Sequence, residues 1–188
     1  MLDESRVKIW AEKAAKVAYS ILGLDCRYSV VLINDPAISE DGLLNTEKNE
    51  IQLNLALLEP FPPDSAGTDN PQTEEDRLID EDYRHALKVC YIIFHEMRHL
   101  YQKRTVEAYS INQHFGGKLA PQNESDKKCA LWLEEMKNPA PGQDIEEDAN
   151  DFAYYLTNRY PLKLPMLHTN RRIGSFKRKY DKVEIPKL

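Results

Sequence analysis

"IIFHEMRHLYQ", residues 92–102, sets two histidines and a glutamate inside a run of Ile, Phe, Met and Leu. The apolar periodicity around it predicts a long helix over residues 78–104. On a helix His95 and His99, four apart, stack on one face one turn apart. Val89, Ile93, Phe94, Met97 and Leu100 share a broad apolar face, and the two histidines fall opposite it, flanked by Tyr91 and Ile92. A helix apolar nearly all round is buried, and polar groups inside it need partners. A metal ion supplies one, because this spacing lets two imidazoles ligate a single Zn²⁺. Glu96 lies about 100° round the helix, in reach of a water activated by the metal. In His-Glu-x-x-His that glutamate is the general base for attack on a carbonyl.

A catalytic zinc keeps three protein ligands and one open position. The candidates for the third are Glu146, Glu147, Asp148 and His114. In "DIEEDANDFAYYL" (144–156) the apolar stripe is Ile145, Ala149, Phe152, Ala153 and Leu156. Glu146 lies at its edge, Glu147 points away from it, and Asp148 sits on the other flank with a shorter side chain. Glu146 is therefore the expected ligand, with Glu147 and His114 as alternatives. Asn150, four residues on, shares the side of Glu146 and is expected to hydrogen-bond a ligating histidine. For the donor that stabilises a developing oxyanion, His168, Tyr154 and Tyr155 are the candidates. His85 is expected to be structural.

"HEMRH" followed some fifty residues later by "EEDANDFA" resembles the gluzincin pattern, and most resembles the small ImmA/IrrE-like metallopeptidases. The likeness covers the two helices and, more loosely, the helix–strand–strand lead-in of residues 4–58. It implies an α+β, zincin-like fold, with a small antiparallel sheet packed on the active-site helix and a C-terminal ligand helix. It makes His95, His99 and Glu146 the zinc ligands and Glu96 the base. It also implies an edge strand beside the cleft, for which 50–58 is the candidate, able to hold an extended peptide. Asp148 departs from the family, which usually has glutamate there, and residues 104–140 have no counterpart in its pattern. The implied substrate is an intracellular protein or peptide, such as a transcriptional repressor. His114, fifteen residues after His99, is similar in spacing to the three-histidine site of SprT-like proteases, although this chain lacks their His-Gly and zinc-ribbon cysteines. A metal-containing interaction module without turnover is the alternative of another class; it would have no use for Glu96.

The rest of the chain is consistent with one metallopeptidase-like domain over 1–188. A length of 188 residues suits a single core. The net charge of −6 (25 basic residues against 31 acidic) argues against nucleic acid as the main partner. The opening residues, MLDESRVKIW, lack the pattern of a signal peptide, and no apolar run approaches membrane-spanning length. Cys26, Cys90 and Cys129 are scattered, with no CxxC, so a reduced, cytoplasmic protein is expected. Further expectations are a helix over 4–22 stopped by Gly23, strands over 28–35 and 50–58, a Pro/Gly-rich surface loop over 60–76, helices over 125–137 and 144–159, and an irregular basic tail over 161–188.

Overall fold

The computed structural model describes residues 3–24, 28–61, 74–116, 121, 123–140 and 143–159, with the side chains of 74–80, 115–116 and 158–159 excepted. The chain is α+β: helices α1 (Glu4–Leu22), α2 (Glu74–Gly116), α3 (Glu124–Lys137) and α4 (Asp144–Arg159) accompany strands β1 (Ser29–Ile33), β2 (Gly42–Asn45) and β3 (Glu50–Asn54). No helix among the described residues is long and apolar enough to cross a membrane. The expected basic tail, 161–188, lies outside the described residues, as do 62–73 of the expected loop; Glu74–Asp76, placed in that loop by composition, already belong to α2.

Local chemistry sets the helix ends. The Asp3 side chain accepts the Ser5 N–H at 2.9 Å, covering one of the unpaired donors of the first turn of α1. Gly23 closes that helix in the left-handed region at φ 63°, where a Cβ is strained. Val7, Trp10, Ala11, Ala14 and Ala18 of α1 are buried in one core with Ala86, Val89, Ile93, Phe94, Met97 and Leu100 of α2. Each large aliphatic side chain fully buried there contributes roughly 1.5–3 kcal/mol relative to an exposed one. Helix α2 runs twelve residues beyond the expected end at 104. No Gly or Pro interrupts residues 105–115. Val106 is buried with Trp132 of α3 and Ile145 of α4, so tertiary packing supports this polar extension.

The sheet is mixed, which corrects the antiparallel expectation. Strand order is β1-β3-β2, with β3 parallel to β1 and antiparallel to β2. After β1, residues 34–41 carry the chain past the site of β3 to the far edge, where β2 forms. A turn containing Asn49, at φ 54°, then brings β3 back between its two neighbours. The 50–58 segment is thus central and shorter than expected, passing into a 3₁₀ turn at Leu55–Leu57. The strand at the site-facing edge is β2. Its "GLLN" has no β-branched residue and begins with glycine, so propensity hides it; pairing of Gly42, Leu43, Leu44 and Asn45 with Leu53, Gln52, Ile51 and Glu50 creates it.

Asn54 organises the connection that leads into β2. Only 1% exposed, it donates from Nδ2 to the Asp35, Ile38 and Glu40 carbonyls at 2.9–3.4 Å and accepts the Asp35 and Ala56 N–H groups. Its own N–H donates to the Asp41 carbonyl at 2.9 Å. Replacing it strands several buried backbone groups, each costing on the order of 1–3 kcal/mol. Asn54→Ala is therefore expected to lower unfolding stability by about 2 kcal/mol or more, measured by urea denaturation.

Candidate metal centre

Helices α2 and α4 meet along ladders of residues four apart. Contacts run from Tyr91 with Asn150 and Tyr154, through His95 and His99 with Glu146, to Gln102 with the Ile145 carbonyl. Numbers rise on α2 as they fall on α4, so the helices are antiparallel there. At the centre, His95 Nε2 and His99 Nε2 are 2.9 Å apart. Glu146 Oε2 is 3.5 Å from the first and its Oε1 is 3.4 Å from the second. Among the described residues, His95, His99 and Glu146 form a group able to hold a metal ion, with their ligand atoms all within 4.8 Å of one another.

The donor set fits a small tetrahedral cation. Four-coordinate zinc with bonds of 2.0–2.1 Å sets its donor atoms about 3.3 Å apart, and the three observed separations bracket that distance. The hydrogen-bond network fixes which nitrogen of His99 is available. Gln102, fully buried, directs Nε2 to the Ile145 carbonyl at 2.9 Å and to Asp148 Oδ2 at 2.8 Å. Both partners accept only, so that end of the amide is the NH₂ and Oε1 is the acceptor. Oε1 lies 2.8 Å from His99 Nδ1, which must donate. In the neutral ring the lone pair is then on Nε2, aimed at His95 and Glu146. Asn150 sits beside His95 and favours its protonated form. It also accepts the Tyr91 hydroxyl at 2.5 Å, yet His95 Nδ1 is buried without a well-formed hydrogen bond.

Electrostatics favour the ligating, neutral form at His95 and the charged form at His99. Burial, reinforced by His99, pushes His95 down to about 4 against the opposing pull of Glu146, Asn150 and Asp41; a neutral imidazole is the form that ligates. Burial also disfavours His99 as a cation, but the hydrogen bond to Glu146 and the charges of Glu96 and Glu146 outweigh it and raise its pKa. Glu146, about half exposed, is held below the usual carboxylate range chiefly by its hydrogen bond with His99. His99 Nε2 and Glu146 Oε1 thus stand 3.4 Å apart, each favouring the charged form of the other, at the point where a cation fits.

Glu96 shares the cleft but does not join the cluster. Burial raises it to about 7, helped by Glu146 and Asp41 and opposed by His99 and by the Leu44 N–H that it accepts. That N–H belongs to β2, which presses closely on α2. A Cβ on Gly42 would lie 2.3 Å from Ile92 Cγ2 and 3.2 Å from Glu96 Oε1, so only glycine allows the approach. Together β2, the 39–41 connection, α2 and the start of α4 enclose an open cleft of about 710 Å³ lined by His95, Glu96, His99, Glu146 and Asn150. A Lys88–Asp41 ion pair at 2.5 Å closes one wall.

Other expected site residues lie elsewhere. Glu147 is exposed and outside the cluster. His114 is exposed near the far end of the same continuous helix; fifteen residues at 1.5 Å each separate it from His99 by about 22 Å. It is not brought to the cluster. Tyr155 packs on the main core. Tyr154 packs on Tyr91, ring centroids 4.8 Å apart, one ring removed from His95. Neither tyrosine lines the cleft. His168 lies outside the described residues. His85 bonds the Glu81 carbonyl of its own helix through Nδ1 at 3.0 Å, away from the cluster.

Two residues with no role assigned from sequence carry the support. Arg98, 2% exposed, donates to Asp148 through Nε at 2.6 Å and a terminal nitrogen at 3.0 Å. Asp148 also receives Gln102 and, at 2.6 Å, Lys128 of α3. Burial opposes the charge on Asp148, but Arg98 and Lys128 outweigh it and hold its pKa below the usual carboxylate range. A depressed value contributes stability present above the ordinary carboxylate pKa, lost as pH falls through the folded-state pKa. An arginine inside an apolar helix was one available signal, and a glutamine three residues past His99, on its face, was another. Comparisons with family models, curated proteins and solved structures give no match. Gln102→Leu, which frees the His99 tautomer, is expected to weaken Zn²⁺ binding by about 10- to 100-fold, the usual range for losing a ligand's outer partner. Competition with a chelating dye measures this, and unchanged affinity would remove Gln102 from the centre.

Proposed function

We propose that this chain is a zinc-dependent metallopeptidase of the small gluzincin type, with a zincin-like fold, acting on a protein or peptide inside the cell. The observation that carries the reading is the convergence of His95, His99 and Glu146, with Glu96 beside them in one open cleft. His95 and His99 would hold the ion through Nε2 and Glu146 through its carboxylate. Zinc, when bound, acts as a Lewis acid on the substrate carbonyl and makes a water more acidic.

The protein groups supply the rest of the chemistry. Glu96 takes the proton from the attacking water and delivers it to the departing amine. A carboxyl raised to about 7 is well suited to accept and release a proton near neutrality. The Leu44 N–H holds its side chain toward the cleft, and the pinned β2 edge limits its movement. Gln102 orients the His99 imidazole, and Asn150 stands beside that of His95. By the family resemblance, the substrate would be a regulatory protein such as a transcriptional repressor. A module that only binds metal has no use for a buried carboxyl poised beside the ligands, so the catalytic reading is favoured.

Glu96→Gln separates the two. It is expected to keep one zinc per chain while peptide cleavage falls by about 10²- to 10⁴-fold, the usual contribution of a general base. Metal analysis together with turnover of a peptide library reads both quantities; equal cleavage by variant and wild type excludes Glu96 as the base. Glu146→Ala is expected to lose the metal and His114→Ala to keep it.

A further inference from the structure

The first turn of α4 carries Glu146, and what fixes that turn comes from α3. A helix start leaves its first N–H groups without intrahelical partners, and Ser, Thr, Asp or Asn normally cap them locally. Here the preceding residue is Gln143, whose side chain instead donates to the Asn138 carbonyl at 2.7 Å. The Asp144 and Ile145 N–H groups donate to Glu135 of α3, at 3.1 Å to Oε1 and 2.9 Å to Oε2. One carboxylate thus takes two orphan donors and places negative charge at the positive end of the helix dipole. The residue after this pair is Glu146. Two more contacts tie α3 to the same turn. Lys128 bonds Asp148 at 2.6 Å, and Trp132, fully buried, packs with Ile145 and Val106.

We propose that α3 is a clamp on the metal centre and that Glu135 is a positioning residue for the ligand Glu146, setting the affinity of the site for its cation. The inference rests on the metal-centre reading above. Glu146 is about half exposed and, among the described residues, forms ion pairs with His95 and His99 alone. Its backbone position therefore decides how well its carboxylate meets His95 and His99. Without the Glu135 cap, the first turn of α4 frays, and Glu146 must be ordered by the cation itself at the expense of affinity. A local N-cap would hold the same turn with no help from α3; this chain has replaced it with a side chain from another helix.

The test uses the full chain with Zn²⁺ as the probe. Zinc dissociation constants are measured by dye competition for wild type, Glu135→Ala, Glu135→Gln and the exposed α3 control Lys127→Ala, at a temperature where circular dichroism shows each to be folded. Glu135→Ala is expected to bind zinc about 10-fold more weakly or worse, in the range of outer-partner losses. Glu135→Gln, which keeps one acceptor oxygen and no charge, should fall between Ala and wild type, and Lys127→Ala should match wild type. A merely structural Glu135 would lower the unfolding temperature of metal-free protein and leave the dissociation constant unchanged, which overturns the proposal. If the alanine variant does not fold, the glutamine variant decides alone, and wild-type affinity there overturns it too. Wild-type protein that takes up no zinc overturns the metal centre and the clamp together, whereas wild-type binding with unaltered Glu135 variants overturns only the clamp.

Discussion

The buried Arg98–Asp148 pair is the constraint on which the candidate metal centre depends. Removing two charges from water costs several kcal/mol each, repaid only when the geometry is good and every remaining lone pair and proton is satisfied. Here Asp148 receives two donors from Arg98, one from Gln102 and one from Lys128. The guanidinium also stacks near Tyr101, Phe152 and Trp132, its central carbon 4.8, 5.1 and 5.9 Å from the ring centroids. Such a pair tolerates little sliding of α4 along α2, because a shift would leave a buried charge unpaired. With the register fixed, Glu146 stands two residues before Asp148 and faces His95 and His99. Gln102 belongs both to this pair and to the His99 tautomer, so the structural network and the candidate ligand set meet in one side chain.

The opposite wall is set by close approach rather than by charge. Gly42 lets β2 lie against Ile92 and Glu96 at a distance no side chain permits. Asn54 holds the preceding connection in place through its bonds to residues 35–40. The same close packing explains the raised Glu96 carboxyl: burial dominates, and His99 and the Leu44 N–H compensate only in part. Glu96 and Glu146 are two carboxylates in one cleft with opposite environments. One is desolvated and the other is half exposed and bonded to His99, the difference that the proposed roles of proton carrier and ligand would use.

Sequence carried the site further than it carried the sheet. His95 and His99 were legible because a four-residue spacing on an apolar helix has few explanations, and the cluster with Glu146 followed from one amphipathic pattern on α4. The α2 and α4 helices appear where periodicity placed them, with the end of α2 displaced because Val106 finds Trp132 and Ile145, residues distant in sequence. Strand β2 was illegible for a similar reason. "GLLN" has no intrinsic strand preference, so only its partner β3 makes it a strand, and missing it misassigned both the edge and the sheet type. Arg98, Gln102 and Glu135 were unread because their roles depend on which helix lies opposite. No local pattern encodes that.

The central claim is that two imidazoles and the Glu146 carboxylate bind one zinc ion. Zinc-edge X-ray absorption on protein purified without added metal tests it most directly. Stoichiometric zinc is expected, with two imidazole nitrogens at about 2.0–2.1 Å and otherwise oxygen ligands at about 2.0–2.2 Å, and Glu146→Ala should abolish that spectrum. Absence of stoichiometric zinc, a sulfur ligand near 2.3 Å, or a third imidazole in the shell would contradict it.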